Sequence, residues 1–397
     1  MTKWTTFELQ VVTPLFSGDD QTSPESLIRV PSIRGALRYW FRAVATGHGV
    51  EDLSTLAKQE SEVFGDTHNP SPIRMRVSRQ PPVKGKRQPG WTNLRGGRGN
   101  GLRYLLGQGL WKNGTGLLRP FVAPGGKFDL GVRLSDDEQV NSRFLLAMWA
   151  WLNYGGLGSR VRRGFGQLQC VKVANLTGDP LIKAMAEQRD WNVLGEVAIP
   201  SELRDEHRTG WSTWLREAAA RSDAMPERPM LAPKWWGGVL LEERCQTWAE
   251  ALDLAGQMWR DFRLGPKNKS ARVPAVCTPE WADFFNKKRN DYPIGALGLP
   301  VGYYAKGGGR VRSGTVSAED EGGEQLRRAS PVWLRPVRLP TSEWGIFTHI
   351  FYARLLPKNA RLVGKGVAGN HQLDLPSVEL AESQWDHWLD GERRLDS

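Results

Sequence analysis

Two stretches of this chain concentrate the residue types that hold phosphates. In the first, Ser32-Ile33-Arg34-Gly35-Ala36-Leu37-Arg38-Tyr39-Trp40-Phe41-Arg42, arginines recur at i, i+4 and i+8. On a helix that spacing stacks Arg34, Arg38 and Arg42 on one face, where like charges repel unless an anion neutralises them. Gly35 in the first turn lowers helix propensity, a cost that close backbone approach of a ligand would explain. Ser32 reads as the N-cap of a helix whose free N–H groups suit phosphate. The second stretch is Gly155-Gly156-Leu157-Gly158-Ser159-Arg160-Val161-Arg162-Arg163-Gly164-Phe165-Gly166. Its glycines let a backbone approach a ligand, and its arginines supply charge-assisted hydrogen bonds. It lacks the Gly-Lys-Ser/Thr of a nucleoside-triphosphate loop, and it precedes a strand instead of opening a helix, so it is no dinucleotide fingerprint. A sugar–phosphate backbone remains.

Two further groups extend the basic surface. Arg74 and Arg76 alternate with Ile73, Met75 and Val77, which gives a half-buried strand with a basic exposed side. In residues 79–126, Trp91, Tyr104 and Trp111 are interleaved with Arg95, Arg98, Arg103 and Lys112. Aromatic faces stack bases while cations hold phosphates, the usual make-up of a single-strand binding surface. Groups that could cut RNA are few. His48 follows the basic helix without a partner acid or base, and Asp19-Asp20 fits an ordinary turn as well as it fits a metal. His207, His349, His371 and His387 have no metal-ligand spacing, and Cys170, Cys245 and Cys277 are too scattered for zinc or a disulfide framework. The expectation is a protein with no catalytic residue, no metal and no cofactor.

The charge balance points the same way. The 397 residues carry a net charge of +11, from 54 basic and 43 acidic side chains. Residues 1–175 hold 24 Lys/Arg against 13 Asp/Glu, so the whole excess lies there, and no acid occurs between Asp66 and Asp129. A one-sign field this long indicates a polyanionic partner, with nucleic acid as the leading candidate. There is no apolar run of transmembrane length and no secretory leader, so no membrane partner and a cytoplasmic location are expected.

These residues need a scaffold. Residues 4–16 read as a strand, the arginine helix follows to about Ala45, and Ile73–Ser78 reads as a second strand. Phe128–Leu134 (strand), Glu138–Tyr154 (apolar helix) and Gln167–Val173 (strand) complete a β-α-β-β-α-β order. That order predicts an α+β, ferredoxin-like domain over 1–175, on the same plan as RNA-recognition domains. Residues 79–126, with 12 glycines, read as an insertion or extended hairpin with Leu102–Leu106 and Leu117–Val122 as its arms. Residues 176–397 predict a second, degenerate ferredoxin-like domain with a helical insertion. Its elements are helices at Trp211–Arg221 and Arg244–Arg263, strands at Leu297–Tyr304, Ser330–Leu339 and Ile346–Leu355, a mobile loop at Lys306–Glu324 and a short helix at Trp385–Leu389. The tryptophans read as packing, with Trp40 and Trp91 as exceptions.

Thr13-Pro14-Leu15-Phe16, the Ser32–Arg42 stretch and the glycine–arginine loop together resemble the RAMP superfamily of CRISPR-associated RNA-binding proteins. Trp40-Phe41-Arg42, Glu62-Val63-Phe64-Gly65, Leu297-Gly298-Leu299-Pro300 and Arg328-Ala329-Ser330-Pro331 are similar to the branch that heads type III-B effector complexes. The resemblance implies a non-catalytic subunit capping the backbone filament near the 3′ side of the guide RNA and helping hold the guide–target duplex in antiviral defence. Its implied partners are guide (CRISPR) RNA, target RNA and other RAMP subunits. It also implies that the basic helix and the glycine-rich loop hold the guide backbone, and that 79–126 is a thumb-like hairpin. The RNA-binding candidates are Ser32, Arg34, Gly35, Arg38, Arg42, Arg74, Arg76, Trp91, Arg95, Arg98, Arg103, Gly156, Gly158, Ser159, Arg160, Arg162 and Arg163. The alternative is a RAMP endoribonuclease cutting guide precursor or target through His48 or Asp19/Asp20.

Overall fold

The computed structural model describes residues 4–17, 28–47, 52–85, 88–94, 99–175, 226–231, 235–241, 243–264, 293–307, 310–339, 341–354, 356–357, 359–366 and 371–373. Strand β1 (Thr5–Val11) leads to helices α1 (Val30–Gly47) and α2 (Leu53–Phe64) and then to β2 (Arg74–Ser78). Next come β3 (Val83–Lys84), α3 (Asn100–Leu106), β4 (Trp111–Lys112), β5 (Gly116–Leu117) and β6 (Phe121–Val122). Strand β7 (Lys127–Arg133), α4 (Glu138–Tyr154) and β8 (Leu168–Ala174) close the N-terminal part. The first sheet runs β2-β7-β1-β8 with every pair antiparallel. That is the strand order of the split βαβ plan.

Helix α1 forms because Ile33, Leu37, Trp40, Phe41 and Val44 recur at helical spacing, and all are buried. It starts earlier than the sequence predicts: the amides of Ser32 and Ile33 both donate to Arg29 O, at 3.1 and 3.2 Å, so Ser32 lies inside the first turn and is not its cap. Helix α2 is absent from the sequence-based assignment. Asp52 caps it, accepting from Thr55 N at 2.7 Å, and Leu56, Val63 and Phe64 face the core. Trp40, predicted as an exception to packing, is 1% exposed among Tyr154, Trp333 and Phe351.

The C-terminal part supplies β9 (Trp236–Leu240), α5 (Trp248–Leu264), β10 (Val301–Gly307), β11 (Arg310–Glu319), β12 (Gln325–Leu326) and β13 (Val332–Arg338). Strands β14 (Trp344–Phe351), β15 (Arg361–Gly366) and β16 (His371–Leu373) follow. One sheet runs β13-β14-β9, and a second runs β10-β11-β15-β16 with β12 against β11. Most of the predicted mobile loop Lys306–Glu324 is therefore the β10–β11 hairpin. Val316 and Ala318 are buried in it, and Glu319 binds Lys365 of β15 at 2.7 Å. The predicted helices Trp211–Arg221 and Trp385–Leu389 lie outside the described residues.

Residues 79–126 are not a peripheral hairpin. Leu102–Leu106, predicted as a strand arm, is helical: Leu102, Leu105 and Leu106 have i, i+3, i+4 spacing, and all three are inaccessible to solvent. Helix α3 packs on α5 so closely that a Cβ on Gly256 would lie 2.2 Å from Gly101 O, and one on Gly101 would lie 1.9 Å from Asp253 O. Asp253, 2% exposed, reaches across from α5 to accept from Leu102 N at 3.0 Å. Leu110, Leu117 and Phe121 join the same core with α5 and β13 residues such as Leu252 and Leu334.

The C-terminal sheet also finishes α4. Arg335, 2% exposed, donates to Leu152 O at 2.7 Å and Gly155 O at 2.8 Å. His349 receives the Trp236 indole N–H on Nδ1 at 3.2 Å, so its Nε2 carries the proton and donates to Tyr154 O at 3.1 Å. Burial, opposed by that hydrogen bond and aided by Arg335 and Arg162, pulls the His349 imidazole down to about 3. The folded ring stays neutral while the unfolded chain binds a proton below about pH 6.5. Stability is thus unaffected above that pH and falls by about 1.4 kcal/mol per unit from about 6.5 toward 3. Urea titrations at pH 7.5 and 5 are expected to show this loss in the native chain, with a smaller loss in His349→Gln. Equal losses in both would remove His349 from the pH response.

Candidate nucleic-acid interface

The glycine–arginine loop leaves α4 at Gly155 and folds back on the segment after β1. Thr13 Oγ1 donates to Gly164 O at 2.8 Å, Ser159 N to Phe16 O at 2.7 Å, and Gly166 N to Pro14 O at 3.0 Å. Its glycines serve this closure. A Cβ on Gly158 (φ +88°) would lie 2.4 Å from Phe16 O, and one on Gly156 would lie 2.7 Å from Gly166 O. The close approach at Gly156 and Gly158 is to the protein's own backbone, which accounts for glycine there without a ligand. What the closure presents outward is the run Arg160–Arg163.

Opposite that run, Leu299 and Arg328 exchange two backbone hydrogen bonds, Leu299 N to Arg328 O at 2.7 Å and Arg328 N to Leu299 O at 3.1 Å. Between the loop and these segments lies a cleft of about 470 Å³. Among the described residues thirteen line it; six are arginines, namely Arg160, Arg162, Arg163, Arg263, Arg327 and Arg328, and none is acidic. Arg162 is held in place: it donates to Ser330 O and lies 4.9 Å from the Trp333 ring centre and 5.6 Å from that of Tyr39. Burial, then the neighbouring Arg263, pulls Arg163 down to about 10, and burial, then Arg162, does the same to Arg328. Arg328 Nε and Nη2, Arg263 Nε, Tyr39 OH and Trp333 Nε1 are buried without a partner among the described residues. Guanidiniums gathered around open space favour a neighbouring anion over a cation.

The other predicted residues fare differently. Arg38 and Arg42 both bind the buried Glu60 of α2, at 3.0 Å for Arg38 Nη1 and 2.8 Å for Arg42 Nη2. The neutralising anion expected on that face is therefore a side chain of the protein. Arg34 is half-buried beside them, its Nε without an acceptor among the described residues. Gly35 is exposed, and a methyl group there would meet nothing within 4 Å, so packing does not require glycine. Trp91 packs on Phe121 and Trp248, 5.6 Å from each, and is part of the core periphery where a base-stacking platform was expected. Arg103 is tied to Thr92 O at 2.9 Å and lies over Trp111. Arg76 covers Trp4 at 4.4 Å, and Arg74 is exposed on an edge strand; neither lines the cleft. Arg95, Arg98, Asp19, Asp20 and His48 lie outside the described residues. No group of three or more His, Cys, Asp or Glu among the described residues could hold a metal, and no helix there is long and apolar enough to cross a membrane.

Arg263, Arg327 and Arg328 were missed by sequence reasoning. The available signal was Arg328-Ala329-Ser330-Pro331 and Leu297-Gly298-Leu299-Pro300, two motifs noted for their resemblance that turn out to form one wall.

A split-βαβ sheet whose second crossover ends in an arginine-lined cleft defines a mixed α/β protein with a strongly basic cleft. The RAMP superfamily profile matches residues 8–169. CRISPR system Cmr subunit Cmr1-1 of Pyrococcus furiosus is 30% identical over 387 residues, spanning 96% of this chain and 98% of that protein. Subunit Cmr1-2 of the same organism is 29% identical over 183 residues, 41% of this chain and 92% of its own length. The chain belongs to the RAMP superfamily, and within it to the Cmr subunits of CRISPR systems. Among solved structures, apo Cmr1 from P. furiosus is similar at a TM-score of 0.49 and 20% identity over 90% of each chain. A chain of the type III-B Cmr-beta complex bound to cognate target RNA gives 0.49 and 12% over 99% and 100%.

Proposed function

We propose that this chain is a non-catalytic RNA-binding subunit of a cytoplasmic type III-B CRISPR effector complex. It caps the backbone filament near the 3′ side of the guide RNA and helps hold the guide–target duplex, with guide RNA, target RNA and other RAMP subunits as partners. The observation that carries the reading is the cleft whose described lining has six arginines and no acid. Such a surface grips phosphates without reading bases, as a subunit must when sequence is read by pairing. Arg160, Arg162 and Arg163 act there with Arg263, Arg327 and Arg328. Arg34 and Gly35 extend the surface along α1, and Arg38 and Arg42 support it through Glu60. The β13-β14-β9 order repeats β2-β7-β1, and α5 connects β9 to β13 as α1 connects β1 to β2. This supports two ferredoxin-like units, 1–175 and 176–397, the second degenerate, with 79–126 inserted in the first as a bridge to α5.

The triple variant Arg160→Ala/Arg163→Ala/Arg328→Ala is expected to bind single-stranded RNA more weakly for every sequence. Its salt slope should drop by about 2, roughly 0.7 for each phosphate that is no longer neutralised. Affinity and slope unchanged from the native chain would sink the cleft assignment. Pull-down of the tagged chain from its host should bring short guide RNAs and further RAMP subunits; a lone chain with mixed RNA would discredit the complex.

A further inference from the structure

The arginine cleft is graded from rim to inner wall. Arg160 and Arg327 are exposed, whereas Arg162, Arg163, Arg263 and Arg328 are largely covered. On the inner wall Arg328 keeps Nε and Nη2, and Arg263 keeps Nε, out of solvent with no acceptor among the described residues. A buried N–H left this way is unfavourable until an acceptor reaches it. A ligand bringing several acceptor oxygens and negative charge would be favoured beside these unpaired guanidiniums.

We infer that the inner end of the cleft takes the phosphorylated end of an RNA strand, a phosphomonoester, in preference to a phosphodiester within the strand. This rests on the RNA-binding reading above. A diester inside a strand has one charge, two unesterified oxygens and a nucleoside leaving on either side. A terminal monoester carries about −1.5 to −2 near pH 7, offers three strong acceptor oxygens and has one nucleoside to house. The volume of about 470 Å³ lies within the ~300–1,000 Å³ of single small-ligand sites and suits one nucleotide with its phosphate. Along this wall the backbones of Leu299 and Arg328 are paired by two hydrogen bonds, which holds Arg328 in place. Guanidinium forks match phosphate oxygens two at a time, and no carboxylate among the described lining residues opposes a dianion.

The test titrates the full-length chain, by fluorescence anisotropy, with one short single-stranded RNA in three forms: 5′-phosphate, 3′-phosphate and hydroxyls at both ends. One phosphorylated form is expected to bind at least about tenfold tighter than the hydroxyl form, which also tells which strand end is received. That advantage should shrink below about pH 6, where the monoester loses its second charge. Arg328→Ala and Arg263→Ala should abolish the advantage while hydroxyl-ended RNA still binds. If the alanine variants fail to fold, Arg328→Lys, which keeps the charge but loses the fork, should reduce it. Equal affinity for the three forms would overturn the inference and leave the RNA reading standing. Binding of none would overturn the RNA reading beneath it.

Discussion

Gly256→Val is expected to unfold the chain or lower its stability by on the order of 3 kcal/mol or more. The helices α3 and α5 meet backbone to backbone, and the new Cβ would lie 2.2 Å from Gly101 O and 2.3 Å from Gly101 C. No side chain is available to swing aside, so the helices must separate. Separation breaks the Asp253 hydrogen bond to Leu102 N and exposes Leu102, Leu105 and Leu106. Gly35→Ala, in open space on an exposed helix face, is the control and should be neutral or stabilising by about 0.5–1 kcal/mol. Urea denaturation followed by tryptophan fluorescence separates the two. A Gly256→Val midpoint close to the native one would show that α3 does not seat on α5 as described.

Arg335→Met should cost a comparable amount and also weaken RNA binding, although Arg335 does not line the cleft. The methionine fills the space but leaves Leu152 O and Gly155 O without donors in a dry interior, at about 1–3 kcal/mol for each unsatisfied group. Burial pulls the Arg335 guanidinium down to about 9, still charged at neutral pH, so the native hydrogen bonds are charge-assisted. Lysine should rescue little, because a single ammonium does not reproduce a fork that reaches two carbonyls about a turn apart. The carbonyls belong to the end of α4 from which the arginine loop departs, so a frayed helix end displaces Arg160–Arg163. Thermal melts with anisotropy titrations are the check. A variant of native stability and affinity would show the caps to be dispensable.

The sequence was readable where a pattern is local. The strands and α4 of the first sheet follow from alternation and from an apolar helix face. Helix α2 did not show, because its surface is polar and its signature is one aspartate cap with three apolar residues facing the core. In 79–126 the density of glycine masked three leucines at helical spacing, and their partner helix begins more than 140 residues later. The arginine track on α1 misled for a related reason: Glu60, which neutralises Arg38 and Arg42, lies 22 and 18 residues away. Half of the cleft was legible as a glycine–arginine loop. The other half was hidden by averaging, since residues 176–397 have 30 charges of each sign and yet place three arginines on one wall.

The caps on α4 have a temporal consequence. Arg335 and His349 follow the carbonyls they satisfy by 180 to 195 residues, so a ribosome must finish most of the chain before that helix end can close. Until then the arginine loop has no fixed base, and the opposing wall at 297–300 and 327–330 has not been made. A nascent chain can thus display basic sequence without owning a cleft. The cleft itself is a late product of synthesis, closed only when the C-terminal sheet is in place.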